Sequence, residues 1–296
     1  MDTIKTQNQV KIGKHIRTSD RLIKMKKKGL QILQRWQLYV LLFPAVLYLL
    51  VFQYYPMYGA QIAFKQYNSV IGIWGSNWVG FDHFLRFFNS FEFWTIMRNT
   101  LGLSIYELVV SFPLPIILAL SLNYVRQKYF KKSVQMITYA PHFISIVVMV
   151  GMLLQFLDPR AGVLNSFIGL FGFEPINFIA KPELFKLIYV WSAVWQSTGF
   201  ACIIYLAALS GVDPSQHEAA IVDGASKLQR IWHIDLPSIM PIAVILLILN
   251  TGQMLNIGYE KVLLMQNPLN LGASEVIDTY VYKIGLTSQV PNFSYA

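Results

Sequence analysis

Residues 210–241 read SGVDPSQHEAAIVDGASKLQRIWHIDLPSIMP and join an apolar run at 187–209 to another at 239–257. The stretch carries its own punctuation. Asp213 is placed to act as an N-cap, Pro214 suits a first helical position, and Gln216 completes a capping-box-like pattern. A short helix is expected from His217 to Val222, ended by Gly224 in the left-handed region. A second short helix is expected over Lys227–Ile234, halted by Pro237. The product is a helix–turn–helix elbow between two apolar segments. Two alanines beside an acid let another surface approach closely, and the apolar face of the elbow calls for a partner. A self-packed interfacial loop would account for the amphipathicity but not for the ordered series of residues.

The rest of the chain says what the elbow is attached to. Of 296 residues 55% are hydrophobic and 13% charged, against roughly a quarter charged in soluble domains. Five segments approach the ~20 apolar residues that a bilayer crossing requires: Leu38–Tyr58, Leu101–Leu122, Val134–Leu157, Leu187–Leu209 and Ile239–Ile257. The expected fold class is therefore an all-α polytopic membrane protein. Three regions follow: a basic tail with an amphipathic interfacial helix at 1–36, a first transmembrane helix and extracellular loop at 37–96, and a core at 97–296. The single cysteine, Cys202, lies inside the fourth segment, where it reads as a small packing residue.

Net charge is +9, and ten of the 24 Lys and Arg precede Trp36. Four more, Arg126, Lys128, Lys131 and Lys132, crowd the loop at 123–133, and Lys227 and Arg230 lie in the elbow. Basic residues gather on the cytoplasmic side of membrane proteins. That places the N-terminus, the 123–133 loop and the elbow in the cytoplasm, and it favours anionic headgroups over nucleic acid as the partner of the basic tail. Trp74, Trp78, Trp94 and the tyrosines at 54–58 suit an outer aromatic belt. Past the fifth segment the chain is expected outside, with SEVIDTYVYKIGL (274–286) as a short amphipathic helix. Five crossings leave a bundle one short of an even count, and a sixth span after Ala296 is expected.

EAAIVDGASKLQRIWHIDLPSIMP (218–241) resembles the EAA loop of the inner-membrane permease subunits of ATP-binding-cassette (ABC) importers, the MetI-like, binding-protein-dependent transport family. Glu218, Ala219, Ala220, Asp223, Gly224, Ala225, Ile234, Leu236 and Pro237 match the pattern in register, and Ile231 stands where a phenylalanine is usual. YGAQIAFKQYN (58–68), GIWGSNWVGFDHFLRFF (72–88), NTLGLSIYELVVSFPLPIILALSLN (99–123) and YAPHFISIVVMVGMLLQFL (139–157) are similar to permeases for complex oligosaccharides, including polysaccharide fragments, in Gram-positive bacteria. The resemblance implies a type I ABC importer transmembrane domain with a six-span core. It makes 212–237 a coupling loop whose Glu218, Ala219, Ala220, Asp223, Gly224 and Ala225 seat in a cytoplasmic ATPase. It also implies a second homologous permease, two ATPase subunits that bind ATP and Mg, and an extracellular lipid-anchored sugar-binding protein.

The chemistry within the chain agrees with a passive role in hydrolysis. There is no G-x-x-x-x-G-K-[ST] phosphate loop, no nucleophile–base–acid constellation and no metal-ligand spacing; His142 and His233 stand alone. The chain is thus expected to be no enzyme, with no cofactor, no catalytic residue and no metal site of its own. Polar residues inside spans are costly against lipid and point inward. Asn250, Gln253 and Asn256 recur every third residue, within one arc of a helix, followed by Glu260. In the fourth segment WSAVWQSTG supplies Trp191, Trp195, Gln196, Ser197 and Thr198. Amides suit sugar hydroxyls and aromatic rings suit sugar C–H faces, so Trp191, Trp195, Gln196, Ser197, Asn250, Gln253 and Asn256 are the candidate substrate path. Helix-to-helix gluing is an equal alternative for each taken singly. Glu107, mid-segment, either lines the path or pairs with a neighbouring helix. A secondary, ion-coupled transporter is the alternative function, and one buried acid gives it thin support.

Overall fold

A computed structural model describes residues 35–296, so the tail helix expected before Trp36 lies outside the described residues. These residues fall into two units, one ending at Gly80 and one running from Phe81 to Ala296. Four helices are long and apolar enough to cross a membrane: α1 (Trp36–Phe64), α3 (Glu92–Asn123), α7 (Pro182–Ser210) and α9 (Lys227–Gly252). A bent pair, α4 (Lys128–Phe143) and α5 (Ile146–Phe156), makes a fifth crossing if counted as one. The remaining helices used below are α2 (Asp82–Phe88), α6 (Val163–Gly169), α8 (Pro214–Val222), α10 (Tyr259–Met265) and α11 (Ile277–Tyr282).

In the first unit α1 ends in a tight 3-10 stretch, Tyr58–Phe64, and leads into a two-residue strand, β1 (Lys65–Gln66), antiparallel to β2 (Asn77–Trp78). The turn between the strands is held by polar groups. Lys65 Nζ donates to the Ile73 carbonyl at 2.8 Å, and Ser76 Oγ donates to that of Gly72 at 2.7 Å. Phe64 stacks on Trp78 with ring centroids 5.6 Å apart.

The second unit is organised around α7, of whose 29 residues nine are buried. One face packs Phe185, Tyr189, Val190 and Val194 with Leu103 of α3, Met149 and Val150 of α5 and Val262 and Met265 of α10. Further along, Cys202, Tyr205 and Leu209 meet Ala119 and Leu122 of α3 and Ile239 and Ala243 of α9. Cys202 is fully buried there, in the packing role its sequence position suggests. At Gly199 α7 touches α4 so closely that a Cβ would collide with the Thr138 carbonyl.

Three expectations need correction. The segment 134–157 is not one straight helix: α4 and α5 meet at 104°. Pro141 has no amide to offer the ladder, Ile144 is extended, and the Ser145 hydroxyl caps α5 by accepting from the Val148 amide at 3.4 Å. The carbonyl of Ile144, freed by the break, accepts from Gln196 Nε2 at 2.8 Å, which meets the demand that backbone at membrane depth find a partner.

The fifth segment also stops sooner than expected, at Gly252 rather than Ile257. The stretch beyond it is tied by side chains: Ser104 donates to the Met254 carbonyl, Tyr189 OH donates to the Ile257 carbonyl at 2.7 Å, and Asp278 accepts from the Ile257 amide at 3.2 Å.

Pro237, finally, does not halt the second elbow helix. Residues Ile231–Asp235 widen into a π turn and the helix continues through Pro237 to Gly252. The wider turn absorbs the missing proline donor and the steric push of its ring. Another π turn, Leu50–Tyr54, stands two residues before Pro56 in α1.

Gly199→Ala is expected to lower stability by about 1–3 kcal/mol through overpacking against Thr138, read as a fall in the melting midpoint of the detergent-solubilised protein. An unchanged midpoint would mean α4 can retreat from α7 without loss.

Candidate functional site

The elbow is built largely by local chemistry. Asp213 accepts from the Ser215 amide at 2.9 Å and opens α8, but Gln216 closes no capping box there. The box lies one helix later: the Ser226 amide donates to Gln229 Oε1 at 2.7 Å while the Gln229 amide donates to Ser226 Oγ at 3.4 Å. Sequence reading missed it, although S-x-x-Q is a recognised signature. Between them Gly224 takes φ +79°, and the Ala225 amide returns to the Ala220 carbonyl at 2.8 Å. Only glycine holds that left-handed position without strain.

Glu218, Ala219, Asp223 and Gly224 are exposed, and Ala220 and Ala225 are partly so. Around them Ile221, Val222, Leu228 and Trp232 expose more than half their surface. Within this chain nothing among the described residues covers that apolar face.

What anchors the elbow is a side chain not singled out from sequence. Asp235, in the π turn, is fully buried. Tyr124 OH, at the end of α3, donates to its Oδ2 at 2.7 Å, and His217 Nε2, in α8, lies 3.3 Å from its Oδ1. The Arg230 guanidinium sits over the Tyr124 ring, 5.6 Å from its centroid. Burial, then the Asp235 hydrogen bond, pushes the Tyr124 hydroxyl up to about 12, so it remains a donor at any physiological pH. One carboxylate thus joins α3, α8 and α9. The available signal was an acid wedged into IWHIDLP, an apolar context in which a charge needs company.

Farther along the same helices lies a cavity of about 380 Å³ whose lining includes Ser104, Glu107, Ser197, Asn250, Gln253 and Asn256. The three amides converge there, though not from one helical arc: Asn250 is in α9, Gln253 caps it, and Asn256 stands in the following turn. Glu107 faces this cavity and is drawn electrostatically to Lys261 of α10. The Lys261 ammonium in turn donates to the Tyr189 carbonyl at 2.8 Å and lies 4.3 Å above the Tyr189 ring.

The other candidate residues go elsewhere. Trp191 and Trp195 line a separate apolar cavity of about 590 Å³ with Met149, Phe156, Phe178 and Leu187. Gln196 spends its amide on the α4–α5 break, and the Thr198 hydroxyl is buried without a partner. Glu260 is exposed at the start of α10. His142 stacks on Phe200 at 3.9 Å. Among the described residues no group of three His, Cys, Asp or Glu is arranged to hold a metal ion.

Known proteins are similar to this chain in sequence and in fold. The family described as binding-protein-dependent transport system inner membrane component matches residues 111–289. Protein LplB of Bacillus subtilis (strain 168) is 44% identical over 262 residues, which cover 88% of this chain and 82% of LplB. The polygalacturonan/rhamnogalacturonan transport system permease protein YteP of the same organism is 43% identical over 273 residues, or 92% of this chain and 84% of YteP. Among solved structures, a bacterial ABC transporter involved in import of the acidic polysaccharide alginate contains a chain with TM-score 0.82 and 40% identity, covering 90% of this chain and 89% of that one. A second structure, of bacterial alginate ABC transporter in complex with alginate pentasaccharide-bound periplasmic protein, gives TM-score 0.82 and 40% identity over 90% and 88%.

Asp235→Ala leaves the half-buried Tyr124 hydroxyl without its acceptor, a loss of about 1 kcal/mol. Amides of α8 and the 223–230 turn should then exchange with solvent several-fold faster. Exchange confined to wild-type rates would show that the elbow is held by something other than Asp235.

Proposed function

The chain belongs to the family of binding-protein-dependent transport system inner membrane components, and on that premise we propose that it is the permease subunit of an ATP-driven importer for a complex oligosaccharide. The observation that carries the reading is one helix with two ends. At its base α9 holds the exposed elbow through Asp235, and at its tip it presents Asn250 to a polar cavity. A push delivered to the elbow therefore reaches the cavity without crossing a loop.

In this reading Glu218, Ala219, Ala220, Asp223, Gly224 and Ala225 seat the elbow in a cytoplasmic ATPase, and Ile221, Val222, Leu228 and Trp232 fill its apolar cleft. ATP and Mg are bound by two such partner subunits, and this chain hydrolyses nothing. A second, related permease completes the membrane path. Ser197, Asn250, Gln253 and Asn256 offer hydroxyl and amide groups to sugar hydroxyls, while Trp191 and Trp195, in the separate apolar cavity, offer apolar faces at another stretch of the path. Gln196 acts as a brace for the α4–α5 break rather than as a sugar contact. A lipid-anchored binding protein delivers the sugar from outside, and the N-terminus lies in the cytoplasm, as the distribution of basic residues favours. Support for the substrate class comes from relatives: one is a polygalacturonan/rhamnogalacturonan permease and another belongs to an importer of alginate. Coupling in this scheme is a free-energy difference between two states of the elbow and the cavity.

The test is purification in mild detergent of the chain expressed with its genomic neighbours, then ATP-dependent uptake of oligosaccharide in reconstituted vesicles. Co-purification with a second permease and two ATPase copies is expected. Glu218→Lys reverses a charge at the elbow and Gly224→Val strains its turn; each should cut uptake at least tenfold while leaving membrane insertion intact. Uptake that proceeds without ATP would bring the ion-coupled transporter forward.

A further inference from the structure

Glu107 is the one charged residue of the apolar run 101–122 and lies midway along α3. A carboxylate at that depth is costly unless something answers it. It faces the cavity of about 380 Å³ that it shares with Ser104, Ser197, Asn250, Gln253 and Asn256. Among the described residues its side chain forms no ion pair and accepts no hydrogen bond. Lys261 attracts it from α10, but the Lys261 ammonium is engaged by the Tyr189 carbonyl at 2.8 Å and by the Tyr189 ring at 4.3 Å. Lys261 thus supplies a balancing charge and leaves the carboxylate oxygens to the cavity.

The other polar groups on the lining divide in two. Ser104 donates to the Thr100 and Met254 carbonyls and Ser197 to that of Ala193, so both hydroxyl hydrogens are committed to the backbone. The side-chain amides of Asn250, Gln253 and Asn256 have no hydrogen-bond partner among the described residues. An amide both donates and accepts, whereas an ionised carboxylate only accepts. A ligand that meets Glu107 must therefore bring hydrogens to it. Adjacent ring hydroxyls of a sugar bring two, spaced to reach the two oxygens of one carboxylate. Such charge-assisted bonds are about twice as strong as neutral ones, and a second carboxylate at the same place is repelled. In a uronic-acid ring carbons 2 and 3 lie across from carbon 5, which carries the acid. A ring with its 2,3-diol at Glu107 thus points its own carboxylate away.

We infer that Glu107 is a specificity-determining residue of the importer: its carboxylate accepts the hydrogens of a sugar diol in the cavity and rejects rings whose hydroxyls are acylated at that edge. The inference rests on the importer reading above and deepens it. Recognition there passes from sugar hydroxyls in general to a charge-assisted reading of one ring edge, with the amides of Asn250, Gln253 and Asn256 left for the remaining hydroxyls.

The experiment uses the intact importer with its partner subunits in reconstituted vesicles. The probes are trigalacturonate and its 2,3-di-O-acetylated form, which carry the same charge. Wild type should favour the free sugar in kcat/KM by about tenfold or more, because an acylated ring leaves the buried acceptor unpaired. Glu107→Gln keeps the size of the side chain and removes its charge. It should erase most of that preference, chiefly by raising KM for the free sugar. Glu107→Asp retains a carboxylate and should keep part of the preference.

Equal ATP-dependent uptake of the two sugars by wild type, or a preference that survives in Glu107→Gln, overturns the diol reading and leaves the importer reading standing. If the double variant Glu107→Gln, Lys261→Met recovers the wild-type preference, the carboxylate serves only to pair with Lys261, and the inference falls. Uptake that requires sodium in wild type but not in Glu107→Gln would make the carboxylate a cation ligand and overturn it equally. No ATP-dependent uptake of either sugar removes the importer reading for this class of substrate, and the inference goes with it.

Discussion

At Gly199 the backbone of α7 lies against the Thr138 carbonyl of α4 with no room for a side chain, and the arrangement of residues 81–296 depends on that approach. Between membrane helices the hydrophobic effect contributes little, because lipid is as apolar as leucine. Close backbone packing at small residues takes its place. Gly199 brings α4 in. Once α4 is there, its break from α5 must be satisfied locally, and Gln196, three residues before Gly199 on α7, does so at the Ile144 carbonyl. The same helix then meets α3, α5 and α10 at one end and α3 and α9 at the other.

Two of the π turns show how a membrane helix keeps a proline without breaking. Each lies immediately before an α-helical residue and then a proline, at Leu50–Tyr54 before Pro56 and at Ile231–Asp235 before Pro237. Reading Pro237 as a stop applies the rule for water, where a terminated helix can hydrate its free carbonyls. At a membrane the chain retains more hydrogen bonds by widening one turn than by ending the helix. Pro141 behaves differently because Ile144 and Ser145 are extended and a side-chain amide waits beside them. Both outcomes depend on tertiary neighbours, which local pattern does not contain.

Much else was legible. Long apolar runs located α1, α3, α7 and α9, since hydropathy is a property of the segment itself, but α3 starts at Glu92 and α9 at Lys227, well before the runs at Leu101 and Ile239. Gly224 was identified as left-handed from its place after a short helix, and Asp213 as an N-cap from its place before one. The candidate path was legible only in part. Asn250, Gln253, Asn256 and Ser197 do line one cavity, but their convergence requires the turn after Gly252 and the tether of Ser104 to Met254. Trp191 and Trp195 were grouped with them by proximity in sequence, and α7 turns them to another side. Asp235 escaped notice because its two partners, Tyr124 and His217, are 111 and 18 residues away, and its role exists only through them.

That α9 runs unbroken from Lys227 to Gly252 has a mechanical consequence. Its 26 residues span about 39 Å at ~1.5 Å per residue, and the helix carries through Pro237 and Pro241 without ending. Such a rod converts angle into distance: a tilt of about 5° about its base displaces the far tip by roughly 3 Å, comparable to the reach of one hydrogen bond. The amide of Asn250 near that tip could then make or lose a contact in the cavity while every bond at the base, including those to Asp235, stays within its normal length. The widened turn before Pro237 thus does more than tolerate a proline, because a hinge at that point would have let the base swing and left the tip at rest.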